Sequence, residues 1–326
     1  MTLDRYCEQF AHLTRAPNRI FPETTKHKAP HKPFLLLAVM DMVGRGQIAS
    51  RFVSITGELT ELTMLFTGYW RSLMPATQTS SIAFPFSRLN SEPFWELVPL
   101  PEQQITRAAI NSISTVPQLR QLALGANLDE ELFILMAQAK SRARLTETLL
   151  QACFSGEGRR ILMAEMGIQQ QAFQYGLELE ARAHTTAKDA GLEVIYNDVV
   201  RDQGFRRVVV QSYDHRCALC GVRIITPEGH TVVEAAHIKP WSRFRDDNIK
   251  NGMALCRLCH WAFDEGLMSV DSNYNVLISR QMAVAPNAAG FLMTLSGRPI
   301  IRPQDEALWP DLDRLLWHRW NVGVEF

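Results

Sequence analysis

The sequence predicts an α+β protein. It has a mostly helical N-terminal half, a helical connector, and a C-terminal module made of strand, loop, strand and short helix. Three observations carry this expectation. Apolar residues recur at helical spacing through much of residues 1–150. Residues 151–200 are rich in Gln, Ala and Glu and poor in aromatics. Two Cys-x-x-Cys pairs, Cys217/Cys220 and Cys256/Cys259, bracket 35 residues in which two short apolar segments flank a polar loop. The expected units are therefore residues 1–150, 151–200 and 201–326.

In the first unit, PFLLLAVMDMV (33–43) reads as a helix, entered through the Pro-bounded APHKP and ended by Gly44, Gly46 and Gln47. Apolar spacing through Gly57–Leu65 predicts another helix. SIAFPFSRLNSEPFWELVPLP (81–101) is aromatic and Pro-rich, and reads as irregular chain with short strands. Leu119–Leu124 and Glu130–Leu150 read as helices. Residues 151–200 read as helical. FRRVVVQSY, past Gly204, continues as helix into the first cysteine pair.

After that pair the period changes. TVVEAAHI (231–238) and GMALC (252–256) read as strands, and RLCHWAFDEG (257–266) as a short helix closed by Gly266. LMSV and NVLIS form an expected hairpin around Asp271–Asn275.

Composition sets broad limits. The chain has 326 residues, 46% hydrophobic and 21% charged, which suits packed domains and not a disordered chain. Its longest apolar run, Pro33–Met40, is far short of a membrane span. The start, MTLDRYCEQF, lacks the pattern of a secretory signal, so a soluble cytoplasmic protein is expected. Net charge is zero, but basic residues are concentrated. Residues 201–260 hold ten Lys/Arg against six Asp/Glu, and residues 15–32 hold five against one. Two basic regions are thus separated and balanced by acidic ones, a pattern that charge alone does not distinguish from ordinary surface scatter.

The cysteines are more specific. Cys7 and Cys153 stand alone and read as small core residues. The two pairs can supply four thiolates to one tetrahedral zinc ion. Gly221 follows the first pair, where a knuckle turn often needs positive φ. Arg216, Arg223 and Arg257 flank the thiolates and would offset their charge. A site closed by four cysteines is structural, and it would pin the loop carrying His237 to the helix carrying His260.

Within that frame lie His237, Asn251 and His260, at offsets of 14 and 9. Phosphodiester hydrolysis needs a base for water and a cation for the charge that develops at phosphorus and the leaving oxygen. A neutral His suits the first task. A His sharing a helix face with a carboxylate suits the second, and His260 and Asp264 have i, i+4 spacing.

The stretch EAAHIKPW…DDNIKNGMALCRLCHWAFDEGL resembles the HNH endonuclease family with its ββα-metal fold, from about Phe205 to Ser279. The resemblance implies that His237 is the general base, that Asn251 fixes the loop, and that His260 binds a divalent cation, magnesium or manganese. Many family members carry Asp or His directly before the base, where this chain has Ala236. Glu234 or Asp264 could supply that oxygen ligand, and helix geometry favours Asp264. Arg206, Arg207, Lys239, Arg243, Arg245 and Lys250 are candidates for phosphate contacts, which give affinity without sequence readout.

In the first unit, HKPFLLL (31–37) and FPFSRLNSEPFWEL (84–97) resemble elements of the sulfur-binding domain of McrA-like type IV restriction endonucleases, over roughly residues 28–100. The matching positions are His31, Lys32, Phe84, Pro85 and Arg88. Phe84 stands where the family has Tyr, and Ser87 where it has Trp. The resemblance implies an N-terminal domain recognising phosphorothioated double-stranded DNA, with a nuclease behind it. Alternatives are an HNH nuclease reading methylated cytosine or a plain sequence, and a catalytically inactive zinc-stabilised DNA-binding protein. Double-strand cutting by a single-site module further implies a homodimer.

Overall fold

The computed structural model describes residues 2–56, 59–185, 196–227, 229–284 and 289–322. The chain divides into two compact units, one comprising residues 1–167 with 226–230, the other 168–225 with 231–326.

Unit 1 contains α1 (Thr2–Ala11), α2 (His31–Gly44), β1 (Phe52–Ser54), α3 (Leu59–Leu73), α4 (Ala83–Arg88), β2 (Trp95–Pro99), α5 (Arg107–Ser112), α6 (Val116–Leu122), β3 (Ala123–Leu128), α7 (Glu130–Ala137), α8 (Ala139–Cys153) and the first part of α9 (Gly156–Ala183). The expected helix at 33–43 is the central one. Nearly every residue of α2 from Lys32 to Val43 is buried. A helix apolar all round must be covered on all sides, and α1, α3, α4, α7 and α8 build the surrounding core.

Two expectations need correction. Residues 81–101 are not simply irregular chain with short strands, because α4 occupies Ala83–Arg88 before β2. Pro85 lies in the first turn of α4, where no helical bond uses its missing N–H. Likewise Leu124 is not helical. α6 starts with a Thr115/Gln118 capping box and stops at Leu122, and Ala123 opens β3. β3 is the central strand of an antiparallel sheet ordered β1-β3-β2. Its sequence, ALGANL, has little β propensity, so tertiary pairing sets its conformation.

The helical expectation for residues 151–200 is met by α9 and by the start of α10 (Asp198–Ser212). Residues 186–195 lie outside the described residues.

Unit 2 continues with β4 (Val233–His237), α11 (Trp241–Phe244), β5 (Gly252–Cys256), α12 (Arg257–Asp264), β6 (Met268–Val270), β7 (Val276–Ile278) and α13 (Leu312–Asn321). β4 and β5 pair antiparallel, with His237 opposite Gly252 and Val233 opposite Cys256. α12 follows β5 directly, which completes the expected strand, loop, strand, helix order. β6 and β7 form the expected hairpin.

α10 packs over the β4–β5 ribbon through Phe205, Val208 and Val209. A Cβ on Gly252 would lie 2.6 Å from Val209 Cγ2 and 2.9 Å from the Phe205 ring. Glycine is needed where the strand passes beneath α10, at the position paired with His237. α13 closes the unit. Its buried His318 accepts from Ser269 Oγ at Nδ1 (2.9 Å) and donates from Nε2 to Phe263 O (3.0 Å), which ties it to β6 and α12. Among the described residues, no helix is long and apolar enough to cross a membrane.

Candidate active site

The cysteine cluster frames the site. The Sγ atoms of Cys217, Cys220, Cys256 and Cys259 all lie within 4.8 Å of one another. Cys220 and Cys256 are 3.8 Å apart. A tetrahedral zinc with Zn–S bonds of about 2.3 Å needs sulfur–sulfur edges of roughly 3.8 Å, so the four residues fit that ion. Gly221, at φ +78°, gives the knuckle the left-handed turn expected of it. The Ala218 N–H donates to Ala254 O (2.8 Å), binding the knuckle to β5. The flanking arginines are themselves paired: Arg216 and Arg223 with Asp214 (3.7 and 3.3 Å), and Arg257 with Glu234 (3.4 Å).

The loop from β4 to β5 is pinned by Asn251, which is fully buried. Asn251 Nδ2 donates to Lys239 O (3.0 Å) and Asp246 O (2.9 Å), and its Oδ1 accepts from Lys239 N (2.9 Å). An amide satisfied by three loop backbone groups cannot be replaced without orphaning some of them, at roughly 1–3 kcal/mol per buried group.

His237 ends β4 and reaches into this loop. Its ring stacks face to face on Phe205, at 4.0 Å and 6°. Its Nε2 donates to Asp247 Oδ1 (2.8 Å), while the side chain keeps 18% exposure. Asp247 is almost completely buried, and its other oxygen accepts from Arg201 Nη1 (2.6 Å) and Tyr175 OH (3.0 Å). Burial pushes the Asp247 carboxyl up, but donation from His237, Arg201 and Tyr175 outweighs it and holds the group below its ordinary value. Asp246 is also engaged, accepting from Arg314 Nε (3.0 Å) and Nη2 (2.9 Å) on α13.

His260 and Asp264 lie one turn apart on α12, with Nε2 and Oδ2 3.4 Å apart and both side chains partly open. A His–carboxylate pair with open positions suits a hard divalent cation, which keeps places for water and phosphate oxygen. Among the described residues, only the four cysteines form a cluster of three or more potential ligands. Glu234 lies an odd number of strand positions from His237, on the other face of β4, and is paired with Arg257.

The basic residues around the loop differ in freedom. Arg206, Arg243 and Arg245 are exposed, and Lys239, Arg207 and Lys250 are half-buried. Arg207 lies over the Phe173 ring. Lys239 and Arg243 lie near Phe244 and Trp317.

In unit 1 the sequence-selected residues separate into two environments. The His31 ring lies among Phe21 (5.8 Å), Trp70 (4.8 Å) and Phe84 (4.9 Å). Burial drives its pKa down to about 4, so the ring is neutral at neutral pH. Among the described residues, its Nδ1 is buried without a hydrogen-bond partner. The Arg88 guanidinium sits over the Phe84 ring at 4.8 Å and donates to Asn111 O (3.0 Å) and Ile110 O. Lys32, by contrast, is buried and paired with Glu92 and with Ser91 Oγ (2.8 Å). Pro85 is buried too.

Two family models match this chain. Residues 217–271 match HNH_2, the HNH endonuclease model, and residues 12–171 match the model described as ScoMcrA-like, DNA sulfur-binding domain. The chain joins a DNA sulfur-binding domain to an HNH endonuclease domain. The HNH match spans all four cysteines, His237, Asn251, His260 and Asp264. The sulfur-binding match spans His31, Lys32, Phe84, Pro85 and Arg88. A solved structure titled "Modification dependent TagI restriction endonuclease" is similar at 26% identity, with a TM-score of 0.28. The similarity covers 39% of this chain and 40% of that one. No curated protein matches.

Asp247, Tyr175, Arg201 and Phe205 were not among the residues expected at the site. Tyr175, Arg201 and Phe205 lie before the HNH match, on helices with no motif of their own. Asp247 had a signal: the Asp246-Asp247 doublet sits inside a loop otherwise rich in Lys and Arg, between the expected base and Asn251.

Proposed function

We propose that the protein is a type IV restriction endonuclease that recognises phosphorothioate-modified double-stranded DNA and hydrolyses a nearby phosphodiester bond. The observation that carries this reading is the presence of both domains in one chain. Recognition is assigned to residues 1–150, linkage to 151–200 and cleavage to 201–326, in a cytoplasmic protein.

In this reading His237 takes a proton from the attacking water through Nδ1, the ring nitrogen left free by Asp247. Asn251 keeps the loop, and hence the base, in place. His260 and Asp264 hold magnesium or manganese. The bound cation offsets charge developing on the phosphate and the leaving oxygen. Arg206, Arg207, Lys239, Arg243, Arg245 and Lys250 contact phosphates. The cysteine site holds zinc and does no chemistry. Cutting both strands with one site per chain calls for a homodimer.

Selectivity for sulfur has a physical basis in unit 1. A non-bridging sulfur is larger, softer and less hydrated than oxygen. Against Phe84 and the neutral His31 ring it loses less on desolvation than a phosphate oxygen does. His31 therefore contributes an uncharged wall, and Arg88 supplies the cation.

Competition binding of the full chain at fixed salt, on one duplex with and without a phosphorothioate, tests the recognition half. The modified duplex is expected to bind on the order of tenfold more tightly. Phe84→Ala is expected to remove most of that ratio while leaving affinity for unmodified DNA nearly unchanged. Equal affinities across several sequence contexts and both stereoisomers would assign the domain to a different mark.

A further inference from the structure

We propose that Asp247, clamped by Tyr175 and Arg201, is a positioning residue that holds His237 with its proton on Nε2 and its lone pair on Nδ1, so that α9 and α10 form part of the nuclease site. The inference rests on the reading of His237 as the general base.

A carboxylate can only accept hydrogen bonds. Asp247 Oδ1 lies 2.8 Å from His237 Nε2, so that nitrogen carries the proton in the neutral ring. Nδ1 is then the basic atom, and among the described residues no group bonds to it. Phe205 fixes the ring plane by stacking. The carboxylate is fixed in turn, because Arg201 and Tyr175 both donate to Oδ2. Arg201 also packs its guanidinium 3.4 Å from the centre of the Trp241 ring, at the start of the loop's short helix. Tyr175 belongs to α9, and Arg201 and Phe205 to α10, all outside the matched residues 217–271. The matched module therefore contains the base and the carboxylate but not Tyr175, Arg201 and Phe205, which hold that pair from α9 and α10.

The test exploits an asymmetry between the two ends of this clamp. In Asp247→Asn the amide has one acceptor and one donor end. Arg201 can only donate, so the Asn oxygen turns to it and the NH2 turns to His237. Nε2 must then accept, the proton moves to Nδ1, and the lone pair needed for water activation is lost. The equivalent exchange behind the catalytic His of serine proteases lowers kcat by about 10⁴-fold through the wrong tautomer. A loss of about 10²–10⁴-fold in kcat with little change in KM is expected here.

The decisive readout is histidine ¹⁵N NMR of the full chain, with His237→Gln assigning the resonance. Wild-type His237 is expected as the Nε2–H tautomer and Asp247→Asn as Nδ1–H. An Nδ1–H tautomer in the wild-type protein would overturn the proposal without any need for the variant to fold. So would an Asp247→Asn enzyme that cuts at near wild-type rate while His237→Gln is inactive. If His237→Gln itself retains activity, the reading of His237 as the base fails, and this inference with it.

Discussion

Replacing His237 with alanine is expected to lower the cleavage rate by about 10²–10⁴-fold, the usual contribution of a general base. DNA affinity is expected to change little, because the phosphate contacts proposed for the exposed Arg206, Arg243 and Arg245 do not depend on the ring. Single-turnover cleavage and equilibrium binding, measured on the same duplex, separate the two effects. His260→Ala is also expected to inactivate, but through the cation. Asp264, the other proposed ligand, remains in that variant, so raising the magnesium or manganese concentration should recover part of the rate. No metal concentration should recover His237→Ala. A His237→Ala enzyme that still cuts at near wild-type rate would place the active site elsewhere.

The second large effect concerns the cysteine frame. Protein purified without chelators is expected to carry one tightly bound zinc per chain. Cys256→Ser is expected to lower the metal content and the thermal midpoint of unit 2 by many degrees. The reason is positional. Cys256 ends β5 and caps α12, so a zinc ion held there would join the first knuckle to the strand and helix that carry the candidate site. Structural zinc in small peptides contributes about 10–16 kcal/mol of apparent binding free energy to folding. Unit 2 has a core of its own, so only part of that is expected to appear as lost stability here. Metal analysis beside calorimetry checks both halves, and a wild-type protein free of zinc would contradict the assignment.

The nuclease half was more legible in the sequence than the recognition half, and particular residues show why. GMALC and RLCHWAFD gave the observed β5 and α12 because the switch from an apolar run to helical spacing falls at Cys256 itself. Asn251 was legible because the resemblance of EAAHIKPW…DDNIKNGMALCRLCHWAFDEGL to HNH endonucleases implied a loop-fixing asparagine at that position, and its three bonds to loop backbone groups agree. The network behind His237 was not, because Tyr175 and Arg201 lie 72 and 46 residues from Asp247 and meet it only in the folded chain. β3 was hidden for a related reason: Ala123, Gly125 and Asn127 are poor strand formers held in place by β1 and β2 on either side. In unit 1, His31 and Lys32 were adjacent in the motif and looked equivalent. The structure places His31 among aromatic rings and Lys32 in a buried pair with Glu92, a difference set by which side of α2 each occupies.

One chain is proposed to couple a sulfur-reading domain to an HNH cutting site. The most direct measurement is cleavage by the full-length protein, with magnesium or manganese, of two duplexes identical except for one phosphorothioate. The modified duplex is expected to be cut near the mark, and the unmodified one to remain intact at the same enzyme concentration. His237→Ala, run beside the wild type, shows that any cutting comes from this site. Equal cleavage of both duplexes, or cleavage of neither across varied sequence contexts and both stereoisomers, would contradict the account.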